Sequence, residues 1–338
     1  QHPHSAPLPT LERSLPSDIR CVYRSSGGEL WIGSTTSGLF LDTDSGFQRF
    51  GVPQGLPSDR IMDIQEDRNG ALLVVTSSGV AVRGNGRFNR VPVVRAGSDP
   101  LQWRGDTTDV WLFTSGTNDG TYPMRWDGTI LHELRLPPSP RAEAFTKQYP
   151  TSAYSPYDVY TIHRMRNGHI WVGTSNLGIC VFNGTSFSWL YEDDLTTTPE
   201  GGSFGIRSIL EASNSDIWIC SSKYRYRVGS AGAPPSQLQY DRLPGITGMS
   251  SPGGYPYVYA LSITEDSNAV LWFATYDDGL WQVDGKRSRH FPMIVNGDQT
   301  LLYRMIKDRR GTLWLCTQNK GLWTWDGRNV VEYRPHEA

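Results

Sequence analysis

The sequence predicts an all-β chain folded as a single seven-bladed β-propeller with four antiparallel strands per blade. Three observations predict it: a Trp column recurring from end to end, a Gly followed at once by an apolar strand a fixed distance later, and an Asn-Gly or Asp-Gly dipeptide closing that strand. Repeats of this length mark solenoids and propellers, and only stacking of the copies buries both faces of each small sheet.

The column consists of Trp31, Leu73, Trp111, Trp171, Trp218, Trp272 and Trp314. Six of the seven are Trp, and their large apolar area is expected between neighbouring blades rather than against a ligand. A Gly follows in five copies, at Gly38, Gly79, Gly178, Gly279 and Gly321, where a turn requires positive φ. A third strand restarts there, as in Ile179-Cys180-Val181 and Leu280-Trp281-Gln282-Val283. It ends at Asn85-Gly86, Asp127-Gly128, Asn183-Gly184, Asp284-Gly285 or Asp326-Gly327, which are hairpin signals introducing a fourth strand. Asn183-Gly184-Thr185 is thereby read as a turn rather than a glycosylation site. Upstream of the column a first strand, such as Ile61 to Gln65 or Tyr303 to Ile306, runs into Asp67-Arg68-Asn69-Gly70 or Asp308-Arg309-Arg310-Gly311.

The expected blades span 15–50, 56–91, 98–136, 157–190, 204–243, 257–291 and 300–334, with tails at 1–14 and 335–338. Blades three and five are the degenerate copies: blade three lacks the Asp-x-x-Gly turn, and blade five places Tyr226 near the expected Gly.

Composition agrees with short strands and tight turns: 35 Gly, 22 Pro, 12 Trp, 16 Tyr and 11 Phe. A formal net charge of −2, with both signs interspersed, leaves no cationic face for nucleic acid. No apolar run approaches the roughly 18 residues that would span a bilayer. A chain that opens on Gln1 without an initiator Met fits either a mature form whose signal peptide has been removed or a trimmed chain, and a periplasmic or secreted location is expected. Cys21, Cys180, Cys220 and Cys316 each fall inside an expected strand, so buried free thiols are expected rather than disulfides.

Gly55-Leu56-Pro57-Ser58 through Asp67-Arg68-Asn69-Gly70, and Asp308 to Trp314 with Thr317 and Gly321, resemble the two-component regulator propeller repeat. That repeat reads Gly-Leu-Pro-Ser, then Asp-x-x-Gly-x-Leu-Trp-x-Gly-Thr, then Gly-Leu. The resemblance covers essentially the whole chain and is strongest in blades one, two, four, six and seven. It implies the extracytoplasmic sensory part of bacterial hybrid two-component systems, many of which respond to oligosaccharides, with signalling domains outside this chain. Related propellers include streptogramin-type lyases and polysaccharide lyases.

Ligands are expected on the face built by loops joining second to third strands and one blade to the next. The segments 137–156, 191–204 and 244–256 are polar, rich in Pro, Gly and Tyr, and far longer than hairpins require. The second-to-third loops carry Asn176, Tyr224, Arg225, Tyr276, Asp277, Asp278, Asn319 and Lys320. Aromatic faces beside amide, carboxylate and guanidinium groups suit a sugar ring. Tyr224, Arg225, Tyr276, Asp277 and Lys320 are expected around one concave mouth. On the first strands Arg20, Tyr160, Arg207 and Tyr303 share a register that would let them converge on an anion or acidic sugar.

No metal-binding, nucleophile-elbow or phosphate-loop motif is present, and no cofactor is expected. Histidines at His2, His4 and His336 lie in the tails, and His132, His163, His169 and His290 fall on strands or at the opposite turns. A histidine-dependent lyase is therefore disfavoured. The expected function is a sensor propeller binding a carbohydrate or other small polar ligand. A polysaccharide lyase using Tyr as base and Arg against a uronate, or a hydrolase, is the alternative; a protein-interaction scaffold is the third reading.

Overall fold

A computed structural model describes residues 7–115, 120–198, 202, 204–229 and 238–336. The fold is a seven-bladed β-propeller. The chain divides into two compact units, Gln1–Pro92 with Phe291–Ala338 and Val93–His290.

The first unit holds blades one, two and seven. Blade two runs through Ile61–Glu66, Leu72–Thr76, Gly79–Gly84 and Arg87–Arg90, each strand antiparallel to the next. Blade seven repeats this with Leu302–Lys307, Leu313–Thr317, Leu322–Trp325 and Val330–Glu332. Blade one has a fifth strand: Thr10–Glu12, from the expected tail, pairs antiparallel with Gly46–Phe50.

The second unit holds blades three to six. Blades four and six keep the four-stranded order, and blade five keeps it with shorter strands, Ile209–Glu211, Ile217–Ile219, Tyr224–Val228 and Tyr240–Pro244. Blade three departs from the expected all-antiparallel blade. Its column strand Val110–Ser115 has no first strand beside it, because the preceding residues form a short helix, Pro100–Trp103. Its fourth partner is instead Val93–Arg95, laid parallel on Leu131–Glu133 at the outer edge. Trp111 is accordingly only half-buried, its ring 5.7 Å from that of Trp103.

The repeat motif has a direct physical content. In blade seven the Asp308 carboxylate takes the backbone N–H of Arg310 and Thr312 on one oxygen and the indole N–H of Trp314, at 3.0 Å, on the other. Blade six builds the same link from Asp266 to Asn268, Val270 and Trp272. One carboxylate, buried in blade seven and half-buried in blade six, thus closes the turn and orients the column indole. At the other end the Thr317 hydroxyl donates to the Gly321 carbonyl, as Thr174 does to Gly178 and Thr275 to Gly279. Gly178 needs its φ of 80°, and a Cβ there would sit 2.3 Å from the Leu190 carbonyl oxygen.

The column strands Leu30–Ser34, Leu72–Thr76, Ile170–Thr174 and Leu313–Thr317 are buried along their whole length, because both of their faces are covered. Trp31 of blade one meets Phe88 of blade two edge-on at 6.4 Å, and Trp218 of blade five meets Phe273 of blade six at 5.7 Å.

A second device staples blades at the turn end, and it occupies one repeat position, seven residues before the column residue. Glu66 accepts the Ser26 N–H of the previous blade, Glu211 that of Arg166, and Glu265 that of Ser213. Where the previous turn offers acceptors, the residue is Arg: Arg24 donates to Asp308, and Arg164 to the carbonyls of Asp106 and Thr107. All four cysteines are buried and free. Burial pushes the Cys21 thiol up to about 12 and Cys220 up to about 11, so both stay protonated and inert near neutral pH.

Candidate functional site

The long segments of the second unit are ordered by their own side chains. Residues 137–156 contain the helix Ala142–Gln148 and are tied down by the Tyr157 hydroxyl, which accepts the Ser139 N–H. Residues 191–198 are pinned by Glu192, whose carboxylate takes the hydroxyls of Tyr226 and Tyr240 and the guanidinium of Arg242. Burial and the neighbouring Glu192 carboxylate raise the pKa of Tyr226, so it remains a neutral donor.

These segments bring a strip of aromatic rings together on the loop end of blades four to six. Tyr160 begins it at the start of the blade-four first strand, Val159–Arg164. The ladder with the neighbouring strand shifts register between Val159 and Thr161, so Tyr160 is a bulge residue and its ring is re-aimed. The Arg207 guanidinium lies 4.5 Å over that ring and donates to the Phe204 carbonyl. Phe204 packs on Tyr259 at 5.0 Å, Tyr259 meets Tyr257 edge-on at 5.7 Å, and Tyr257 stacks on Tyr255 at 5.7 Å. Tyr160, Phe204, Tyr255 and Tyr259 are half-buried, leaving ring surface open, while Tyr257 is buried beneath them.

Lys223 closes the far end. Its ammonium lies 5.0 Å from the Tyr257 ring and 5.2 Å from Tyr224, and pairs with Asp194 at 2.5 Å. Burial works against that ammonium, but Asp194 outweighs it and raises its pKa. The strip therefore offers C–H-stacking faces flanked by an exposed guanidinium and a held ammonium, a combination suited to a ring-shaped ligand bearing hydroxyl or acid groups.

Of the residues singled out from sequence, Tyr160, Arg207 and Tyr224 belong to this strip. Arg225 does not. It is the second residue of Tyr224–Val228 rather than a loop residue, and its guanidinium turns back to Asp216 at 2.5 Å, with Arg227 on the other carboxylate oxygen. Tyr226 likewise sits inside the strand, and the positive φ that the missing Gly would supply falls on Cys220, at 51°. Tyr276 and Asp277 are exposed at the tip of the blade-six loop, and no ring contact joins Tyr276 to the strip among the described residues. Asn176 lies in the blade-four loop, its N–H bonded to the Pro156 carbonyl.

In the first unit, Lys320 pairs with Asp298 at 3.0 Å and Asn319 accepts the Leu301 N–H. Arg20 and Tyr303 are bulge residues like Tyr160, with the guanidinium 4.6 Å over the ring. Sequence reasoning missed Phe204, Tyr257, Tyr259 and Lys223. The Pro- and Gly-rich segment 244–256, with Tyr255 near its end, was the nearest signal, and it stopped one residue short of Tyr257. Among the described residues no three His, Cys, Asp or Glu side chains are grouped to hold a metal, and no helix is long and apolar enough to cross a membrane.

No family model matches the chain, and no curated protein matches it in sequence. Among solved structures it is similar to the extracellular domains of two hybrid two-component systems from B. thetaiotaomicron. One is 20% identical over 90% of this chain and 37% of that chain, with a TM-score of 0.57. The other is 15% identical over 94% of this chain and 40% of that chain, with a TM-score of 0.60. The chain thus spans about two fifths of the length of these extracellular domains. Virginiamycin B lyase from Staphylococcus aureus is similar at 13% identity over 90% of this chain and 93% of that one, with a TM-score of 0.59. At these identities the likeness shows the propeller fold.

Proposed function

We propose that this chain is the extracytoplasmic, ligand-recognising propeller of a sensor, and that its ligand is a carbohydrate or another small polar molecule seated on the aromatic strip of blades four to six. The observation that carries the reading is the strip itself: half-buried rings of Tyr160, Phe204 and Tyr259, flanked by Arg207 and Lys223. A core would bury such rings fully, and a plain surface would not align them. The likeness to extracellular sensor domains supports the compartment and the role. Tyr224 frames the Lys223 end, and Asn176, Tyr276 and Asp277 belong to the rim of the same proposal.

Calorimetry against a panel of neutral and uronate-containing oligosaccharides tests it. At least one member is expected to give saturable heat, weakened roughly 10- to 100-fold by Tyr259→Ala, as loss of one stacking ring costs about 1–3 kcal/mol. No saturable heat from any member, or binding untouched by Tyr259→Ala, contradicts the reading.

A second reading rests on the Arg207–Tyr160 pair, which sets a cation beside a phenol as a uronate lyase would. New ultraviolet absorbance from an unsaturated product after incubation with uronate polymers would favour the lyase; unchanged polymer favours the binder.

A further inference from the structure

We infer that the first strands of blades seven, one and two carry a second binding site, for the carboxylate of a small monoanion such as a uronic acid, with Arg20 as its anchor. The inference is independent of the aromatic strip, since every residue in it belongs to the other unit.

Arg20, Met62 and Tyr303 are each the residue skipped by a register shift in their first strand, so the bulges re-aim three side chains in the same way. The Arg20 guanidinium lies 4.6 Å over the Tyr303 ring. No ion-paired or hydrogen-bonded partner reaches it among the described residues, and its Nε is buried without an acceptor.

Arg304 stands beside it. Its Nε donates to the Arg20 carbonyl at 3.2 Å, and a terminal nitrogen donates to Asp63 at 2.7 Å and to the Met62 carbonyl. Asp63 is already engaged by Arg304 and by the Gln65 amide at 2.9 Å. The one carboxylate at this place is thus taken by Arg304, and the Arg20 guanidinium beside it leaves one positive charge in excess. The remaining titratable neighbours are neutral: Cys21 and Cys316 are buried thiols whose pKa values burial raises.

An arginine does not shed its charge to escape such a place, so the deficit is met by bringing in an anion. Burial, with Arg304 close by, lowers the pKa of Arg20, the direction expected of a cation awaiting its counter-charge. A guanidinium held over a ring face still presents its planar fork of N–H groups, which a carboxylate takes two at a time. A single excess charge matches a monoanion better than a dianion.

The test is calorimetric titration of the protein at low salt with D-glucuronate, D-glucose and inorganic phosphate. Glucuronate is expected to bind saturably and to weaken as salt rises, with glucose silent and phosphate weaker. Arg20→Gln should lower glucuronate affinity at least tenfold, and Arg20→Lys should lower it less. Arg20→Gln should melt no lower than the parent, because it removes an uncompensated cation; Tyr259→Ala should leave glucuronate affinity unchanged. The site is overturned if glucuronate gives no saturable heat, or if a folded Arg20→Gln variant binds it unchanged. Loss of binding in Tyr259→Ala instead assigns the ligand to the strip, and tighter binding of phosphate overturns the carboxylate assignment.

Discussion

Blades five and six are adjacent copies of one repeat, and they solve the same problem differently. In blade six Asp266 closes the turn and bonds the Trp272 indole at 3.2 Å, and Thr275 and Gly279 close the opposite loop. In blade five the turn aspartate is displaced to Asp216, where it serves Arg225 and Arg227, and the Trp218 indole N–H is buried without a partner. What blade five keeps is the set of links to its neighbours: the Trp218 ring on Phe273 and the Glu211 carboxylate on the Arg166 N–H. The difference teaches that contacts between blades define the propeller, whereas the internal motif of one blade can be dismantled. Where it is dismantled, the shortened loop sets the Lys223 ammonium against the rings of Tyr224 and Tyr257.

Removing the shared element should have the largest effect. Trp272→Ala leaves a buried cavity and strips Asp266 of a donor, and is expected to cost about 3–5 kcal/mol in urea unfolding. A cost under about 1 kcal/mol would mean the column is not the core of the repeat. Removing only the indole N–H should then separate the two blades. Trp272→Phe should cost about 1–2 kcal/mol, because the half-buried Asp266 carboxylate loses a donor, while Trp218→Phe should cost less, as no bond is broken. Equal costs would break the comparison.

Blade seven sharpens it through pH. Burial opposes the Asp308 carboxylate, but its bonds to Trp314 and Arg24 prevail and its pKa is lowered on folding. A group depressed in the folded state adds stability above its unfolded pKa of about 3.9, and that stability is lost as pH falls through the folded value. Asp308→Asn should therefore be less stable than the parent at pH 7, and the gap should close below about pH 4 in paired melts. A gap constant with pH would contradict the link.

The regular blades were legible because their chemistry is local: Asp308, Trp314, Thr317 and Gly321 act on one another within a few residues, so spacing alone reports them. Blade five was misread at Arg225 because its turn is shorter, Trp218 pairing with Arg225 where Trp171 pairs with Val181. Nothing in the composition of 220–224 signals that shortening. The staple position hid for another reason. Arg24, Glu66 and Glu211 differ in charge, and their common role appears only beside the donor or acceptor that the previous blade presents. The strip was half legible: bulge residues such as Tyr160 recur in the repeat, but Phe204 and Tyr259 lie between blades, where no repeat position exists.

The smallest expected effect on stability is also the cleanest control. Tyr259→Ala, on a half-buried ring, should melt within a few degrees of the parent, so that a lost ligand cannot be ascribed to unfolding.

The most direct test of the account is amide hydrogen exchange of the native protein with and without the oligosaccharide that gives the strongest heat. Slower exchange on adding ligand is predicted at 204–208, 223–224 and 255–260, the backbone beneath the strip, with the turn end around Asp266 unchanged. Protection confined to the turn end, or absent from all three segments at saturating ligand, would contradict the assignment of the strip as the recognition site.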